Sequence, residues 1–128
     1  GSTVQTMPDS KTPAVSKAAN KDERIKAGEV LYKQNCIACH QADGSGVTGA
    51  FPPLAKSDYL DNLDQAIYAV ANGLEGPITV NEEVYNSVMP KLSLSDEEIA
   101  NVMTYVLNNW DNKGGEVTPS MVGPQRGH

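Results

Sequence analysis

The run Cys36-Ile37-Ala38-Cys39-His40 constrains this 128-residue chain more than any other feature. Two thiols at this spacing, on a chain leaving a helix, can reach the two vinyl groups of one porphyrin and form thioethers. The next residue, His40, then lies under the iron and can bind it as the proximal ligand. This is the C-x-x-C-H attachment pattern for haem c. Cys36 and Cys39 are the only cysteines, and His40 is one of two histidines. A thioredoxin-like dithiol requires a βαβ setting, whereas the stretch before Cys36 reads as a helix. A structural zinc site requires four nitrogen or sulfur ligands, and beyond the motif only the final residue, His128, is available. One covalent haem c is therefore expected. No internal repeat appears, which argues against a second.

A chain this short forms one domain with a modest core. Aromatic residues make up 5% of it, so the haem is expected to supply apolar bulk. No apolar run approaches the ~20 residues of a membrane span. Gly1-Ser2 reads as a cloning remnant, and no signal-peptide pattern follows it, so the natural N-terminus is expected further upstream. Haem c attachment implies export across a membrane, which in a bacterium means the periplasm. The net charge of −6 is unevenly placed. Residues 57–110 hold nine acidic side chains against Lys91 alone. Nucleic acid, which requires basic patches, is excluded as a partner. The acidic half reads first as solvated surface, and second as a field that orients an electron-transfer partner.

Residues 1–20 are polar and aperiodic and read as a linker or disordered arm. Residues 21–112 read as the folded domain, and 113–128 as a C-terminal tail. Asp22–Asn35 is expected to be helical, with Ile25, Gly28, Leu31 and Tyr32 at helical spacing. Gln41–Leu54 reads as a loop whose Gly44, Gly46 and Gly49 let backbone pass close to a flat cofactor. A second helix is expected over Leu63–Asn72, stopped by Gly73. Ile78-Thr79-Val80 and Val84-Tyr85 can pair as a short hairpin. Ser95-Asp96-Glu97-Glu98 is a capping box. Ile99, Val102, Met103, Val106, Leu107 and Trp110 then form one helical stripe. The expected fold class is all-α, with three main helices around one covalent haem and a short hairpin.

Four methionines compete for the iron's second axial position. Met7 and Met121 lie in polar tails. Met103 is mid-stripe, where methionine usually fills core. Met89 sits on a loop, stiffened by Pro90, that can swing a thioether over the iron. Met89 is the expected distal ligand. Thioether ligation raises the reduction potential and leaves no open position for substrate.

The chain resembles class I cytochromes c over roughly residues 22–110. Gly28, Tyr32 and Cys36 match that family's first-helix signature, in which the glycine lets the last helix cross closely. Tyr105 is similar to the partner aromatic residue. Pro52 resembles the proline whose carbonyl accepts the ring N–H of the proximal histidine, with Pro53 as the alternative. Phe51-Pro52-Pro53-Leu54-Ala55, Gly76-Pro77-Ile78-Thr79-Val80-Asn81 and Tyr85-Asn86-Ser87-Val88-Met89-Pro90 resemble the C-terminal cytochrome domain of three-domain copper nitrite reductases. That resemblance implies no catalysis by this chain itself. It implies relay of single electrons from an upstream donor to the type 1 copper of cupredoxin domains, in the same chain or trimer, during denitrification. The alternatives are a free periplasmic carrier, a cytochrome subunit of another dehydrogenase or oxidase, and, with Met89 unbound, a haem enzyme or gas sensor.

Overall fold

Asn20 starts the first helix: its side chain accepts from the Glu23 N–H, 3.0 Å away. The structure is a computed structural model that describes Ala18 and residues 20–126. Met7, His128 and nearly all of the linker segment lie outside the described residues. Helix α1 spans Lys21–Asn35, with Asp22 and Glu23 in its first turn, where carboxylates suit the helix dipole. The attachment motif follows at once as a single turn, α2, Ile37–His40. After the glycine-containing loop, a 3-10 helix at Asp58–Asp61 leads into α3, Leu63–Asn72. Gly73 ends α3 at φ 80°, in the left-handed half of backbone space that glycine enters without a Cβ clash. Strands β1 (Ile78–Val80) and β2 (Glu83–Tyr85) form an antiparallel hairpin, Ile78 opposite Tyr85. Helix α4, Asp96–Leu107, carries both bonds of the expected capping box on Ser95 and Glu98.

Helices α1 and α4 cross at Gly28. A Cβ built on Gly28 would collide with the Asn101 carbonyl and lie 2.7 Å from Tyr105 Cβ. Tyr32, 1% exposed, packs its ring 5.6 Å from that of Tyr105. Arg24 is also buried at this crossing. Its guanidinium donates to Asn101 Oδ1 at 2.8 Å, Glu97 Oε2 at 3.2 Å and Glu116 Oε2 at 3.1 Å. A buried cation is tolerated only when it is paired and hydrogen-bonded in this way.

Three sequence expectations differ from the structure. Trp110 is not on α4. The helix stops at Leu107, the Asn108 N–H turns back to Tyr105 and Val106 carbonyls, and Trp110 itself has φ 54°. From that turn its ring packs 5.2 Å from Tyr32 and edge-on to Tyr105 at 5.6 Å. None of the three loop glycines lines the cavity described below, and only Gly44 and Gly46 approach other parts of the protein. A Cβ on Gly46 would strike the Phe51 carbonyl, one on Gly44 would lie 2.6 Å from the Trp110 ring, and one on Gly49 would meet nothing.

The aperiodic residues after 112 are anchored to the core at two points. Val117 and Val122 are fully buried against α3 and α4. Val117 N–H donates to the buried Thr104 hydroxyl at 2.9 Å, and α5, Pro119–Val122, follows. Two isolated valines and a side-chain clasp leave no periodic trace.

Gly28→Ala tests the crossing. Alanine ordinarily stabilises a helix interior by about 1 kcal/mol over glycine. Here the methyl meets backbone carbonyl, so a net loss of about 1–3 kcal/mol is expected from overpacking. Denaturant unfolding of the two proteins measures it; equal or greater stability in the variant would mean that the helices part freely.

Candidate metal centre

Cys36 closes α1, its N–H donating to the Tyr32 carbonyl at 2.9 Å, and the α2 turn brings His40 N–H onto the Cys36 carbonyl at 2.9 Å. His40 is thereby buried, 8% exposed. Its Nδ1 lies 2.9 Å from the Pro52 carbonyl oxygen. A carbonyl can only accept, so Nδ1 carries the proton and Nε2 keeps its lone pair. That is the tautomer a metal-binding imidazole requires, and such an outer bond also fixes ring orientation and raises basicity. Pro52, rather than the alternative Pro53, makes the contact. Burial holds the His40 pKa below its ordinary value, opposed by the Pro52 bond.

The loop that delivers Pro52 is tied at several points. Gly46 N–H donates to the His40 carbonyl at 3.0 Å, Val47 and Phe51 exchange backbone bonds at 2.8 Å, and Leu54 N–H donates to the Gly44 carbonyl at 2.7 Å. Tyr32 adds a clamp behind the motif, its hydroxyl donating to the Gln41 carbonyl at 2.5 Å.

Cys36, His40 and Met89 line one cavity of roughly 700 Å³ including its open mouth, with Leu54, Leu60, Val70, Val80 and Leu92 among its walls. Cys39 opens on an adjoining cavity that also contains His40 and Met89. Met89 therefore borders both spaces. Its backbone is fixed by an isolated bridge, with both N–H and C=O paired to Leu74 at 2.8 and 2.9 Å. Met103, 3% exposed, also borders the larger cavity but sits in the α3–α4 core cluster. Met121 packs at the far side of that cluster, and its sulfur accepts from Thr118 N–H.

The donor set fits a haem: two thiols, an imidazole with Nε2 available, a thioether, and apolar walls for a flat macrocycle. It does not fit a redox dithiol. Such a dithiol belongs to a βαβ setting, whereas here the two thiols follow α1, one capping a single helical turn and one within it. Val80 and Leu92 were missed as cavity walls in the sequence, since a hairpin and a coil give them no periodicity. Ser57, another lining residue, gave no signal at all.

The Cytochrome c family profile matches residues 25–110. This chain belongs to the cytochrome c family. It is 39% identical over 89 residues to cytochrome c-552 of Thermus thermophilus, covering 65% of this chain and 67% of that protein. It is 34% identical over 105 residues to the cytochrome c subunit of alcohol dehydrogenase (quinone) from Gluconobacter oxydans, covering 79% of this chain but 22% of that subunit. Cytochrome c6 of Gracilaria tenuistipitata var. liui is 31% identical over 90 residues, 69% of this chain and 75% of that protein. Cytochrome c domains are electron carriers rather than enzymes by themselves, and a monohaem member carries one covalently bound haem c. Among the described residues, no helix of this cytochrome is long and apolar enough to cross a membrane.

Gly73→Ala probes how Met89 is held. A Cβ at Gly73 would lie 2.7 Å from the Met89 carbonyl oxygen and 2.8 Å from Lys91 N, at a φ of 80°. The expected cost is about 1–3 kcal/mol for the backbone conformation alone, read as a lowered melting temperature. An unchanged melt would show that the Met89 loop yields to the methyl.

Proposed function

We propose that this cytochrome is a single-electron relay in which Cys36 and Cys39 would form the haem thioethers and His40 and Met89 would ligate the iron. Bound there, haem c supplies one-electron exchange between ferric and ferrous iron. The observation that carries the reading is the shared cavity of Cys36, His40 and Met89, with His40 oriented by Pro52. The protein's own contribution is positional. The Pro52 carbonyl holds the imidazole, the Leu74 bridge holds Met89, and the apolar walls exclude water. A soft thioether ligand would favour the ferrous state and would leave the site suited to passing electrons.

Mass spectrometry of protein matured with a haem-attachment system should show one added haem that survives acid extraction. An unmodified mass with two free thiols would remove the basis of this reading. Met89→Ala should then give a high-spin or water-bound spectrum, a lower potential and new carbon monoxide binding. Met103→Ala should cost about 2–5 kcal/mol as a core truncation and stay low-spin. Loss of low-spin ligation in Met103→Ala instead would transfer the ligand role to Met103.

The finer proposal is that the acceptor is a type 1 copper in cupredoxin domains of a copper nitrite reductase, to which this domain is tethered through residues 1–20, in the periplasm. What favours it is the similarity of the three segments around Pro52, Ile78 and Met89 to that family's cytochrome domain. A tether makes docking intramolecular, so a weak interface suffices. The similarity to an alcohol dehydrogenase subunit supports the alternative of a dehydrogenase or oxidase subunit. The haem-loaded protein should be redox-active and reduce no nitrite alone. Added to a matching two-cupredoxin body, it should support turnover weakly and in proportion to its concentration. Nitrite reduction by this chain alone would make it an enzyme, and a native gene that begins with a signal peptide just before Thr3 would make it a free carrier.

A further inference from the structure

Residues 90–94 join Met89 to the Ser95 cap of α4. Among the described residues, a single backbone group of this stretch has a hydrogen-bond partner: the Leu94 carbonyl accepts from Arg126 Nη2 at 2.6 Å. Pro90 has no N–H to offer, and Lys91 and Ser93 are exposed. Leu92 lines the cavity of Cys36, His40 and Met89, and Leu94 packs against both core clusters. The path from the Leu74 bridge to α4 is therefore held by apolar contact and by Arg126.

Arg126 is itself fixed. Its Nε donates to Asp96 Oδ1, so the guanidinium fork spans the start of α4 on either side of Ser95. One residue earlier, the Gln125 carbonyl accepts from Asn72 Nδ2 at 2.7 Å. Asn72 ends α3, two residues before Leu74, whose backbone pairs with Met89. Behind these contacts Val122 is fully buried in the α3–α4 cluster. Residues 125 and 126 thus clasp the chain just before the Leu74 bridge and just after the Met89 loop. The family profile stops at residue 110, so the clasp comes from outside the matched region.

We propose that Arg126 is a positioning residue for Met89: by tying the Leu94 carbonyl to α4 and to the segment after residue 112, it keeps the Met89 loop closed and the thioether at the cavity. This inference rests on the reading of Met89 as the distal ligand. The donor to Leu94 is charged, which makes the bond stronger than a neutral one. The ion pair with Asp96 is partly exposed; it aims the fork and contributes little by itself. Without Arg126 the loop keeps its Leu74 bridge at one end and loses its anchor at the other. Local opening, in which Met89 leaves the cavity while the helices stay folded, then becomes easier.

The test uses the haem-loaded full chain and begins with the wild type. A wild type without covalent haem, or one whose spectrum Met89→Ala leaves unchanged, would overturn the reading of the site, and this proposal with it, before Arg126 is touched. Ferric Arg126→Ala is then titrated with imidazole, which competes with the Met89 thioether. Imidazole binds in its neutral form, so loss of a surface charge does not by itself alter its binding. The apparent affinity should rise about tenfold, because losing a hydrogen bond from a charged donor enlarges the open population by about that factor. The sulfur-to-iron charge-transfer band should fade on warming well before the helices melt. Asp96→Asn, which removes the ion pair and leaves the Leu94 bond, should stay within about twofold of wild type. Should Arg126→Ala fail to load haem, Arg126→Gln, which keeps the stem but not the fork, decides alone. A residue that only stabilised the whole fold would lower the melting temperature and leave imidazole affinity at the wild-type value, and that result would overturn the proposal. An equal rise in Asp96→Asn would overturn it too, by placing the effect in the ion pair rather than at Leu94.

Discussion

Gly28 lies against the Asn101 carbonyl with no room for a methyl group, and the position of the haem-site residues follows from that contact. It fixes where α1 crosses α4, and so where Tyr32, one turn on from Gly28, meets Tyr105. Trp110 then closes on Tyr32 from the turn after α4 and covers Gly44. The Gly44 carbonyl accepts from Leu54 and Ala55 N–H, while Asn112 Nδ2 donates to the Leu54 carbonyl. These bonds determine how the chain runs through Pro52, whose carbonyl orients His40. A helix crossing is thus transmitted, through one aromatic cluster and one loop, to a single imidazole nitrogen. Interiors packed to crystal-like density transmit displacement in this way because they have no slack.

The acidic segment divides into structural and solvated parts. Glu97 neutralises buried Arg24, Asp96 pairs with Arg126, Glu98 completes the α4 cap, Asp58 holds Asn81 and Asp61 meets Lys113. The ion pairs of Asp61 and Asp96 are partly or wholly exposed and contribute little, about 0–1 kcal/mol each. Arg24 differs because its burial makes the partners obligatory: removing one would leave an uncompensated charge.

Elements with local signals were legible in the sequence. The Ser95 capping box, the α3 stripe ended by Gly73, and the hairpin around Asn81-Glu82 all declare themselves within a few residues. The attachment motif gave the cofactor class for the same reason, since thioether spacing is local chemistry. What was not legible depended on distant partners. Val117 is buried because Thr104, thirteen positions earlier, clasps its N–H. Trp110 continues the α4 stripe by number, but asparagine side chains end the helix first: Asn108 and Asn109 turn back to the Thr104 and Tyr105 carbonyls. The loop glycines were read as places where backbone passes a flat cofactor, yet Gly44 meets Trp110, Gly46 meets the Phe51–Pro52 backbone and Gly49 meets nothing.

The cavity also bears on how the fold is held together. Two buried clusters flank it, one joining α3, α4 and the C-terminal segment, the other joining α1 and α4. Leu60 and Leu94 touch both, but the space between the clusters is otherwise bounded by cavity walls. Those walls are apolar, and contact with water would forfeit the stabilisation of roughly 25 cal/mol per Å² that burial provides. A flat apolar group held as proposed at Cys36, Cys39 and His40 would cover them and join the clusters into one core. Folding and cofactor attachment would then be coupled, as in small metal-dependent domains whose binding energy is also folding energy. The low aromatic content of the chain follows from the same arrangement, because the porphyrin fills the volume that large side chains would otherwise occupy.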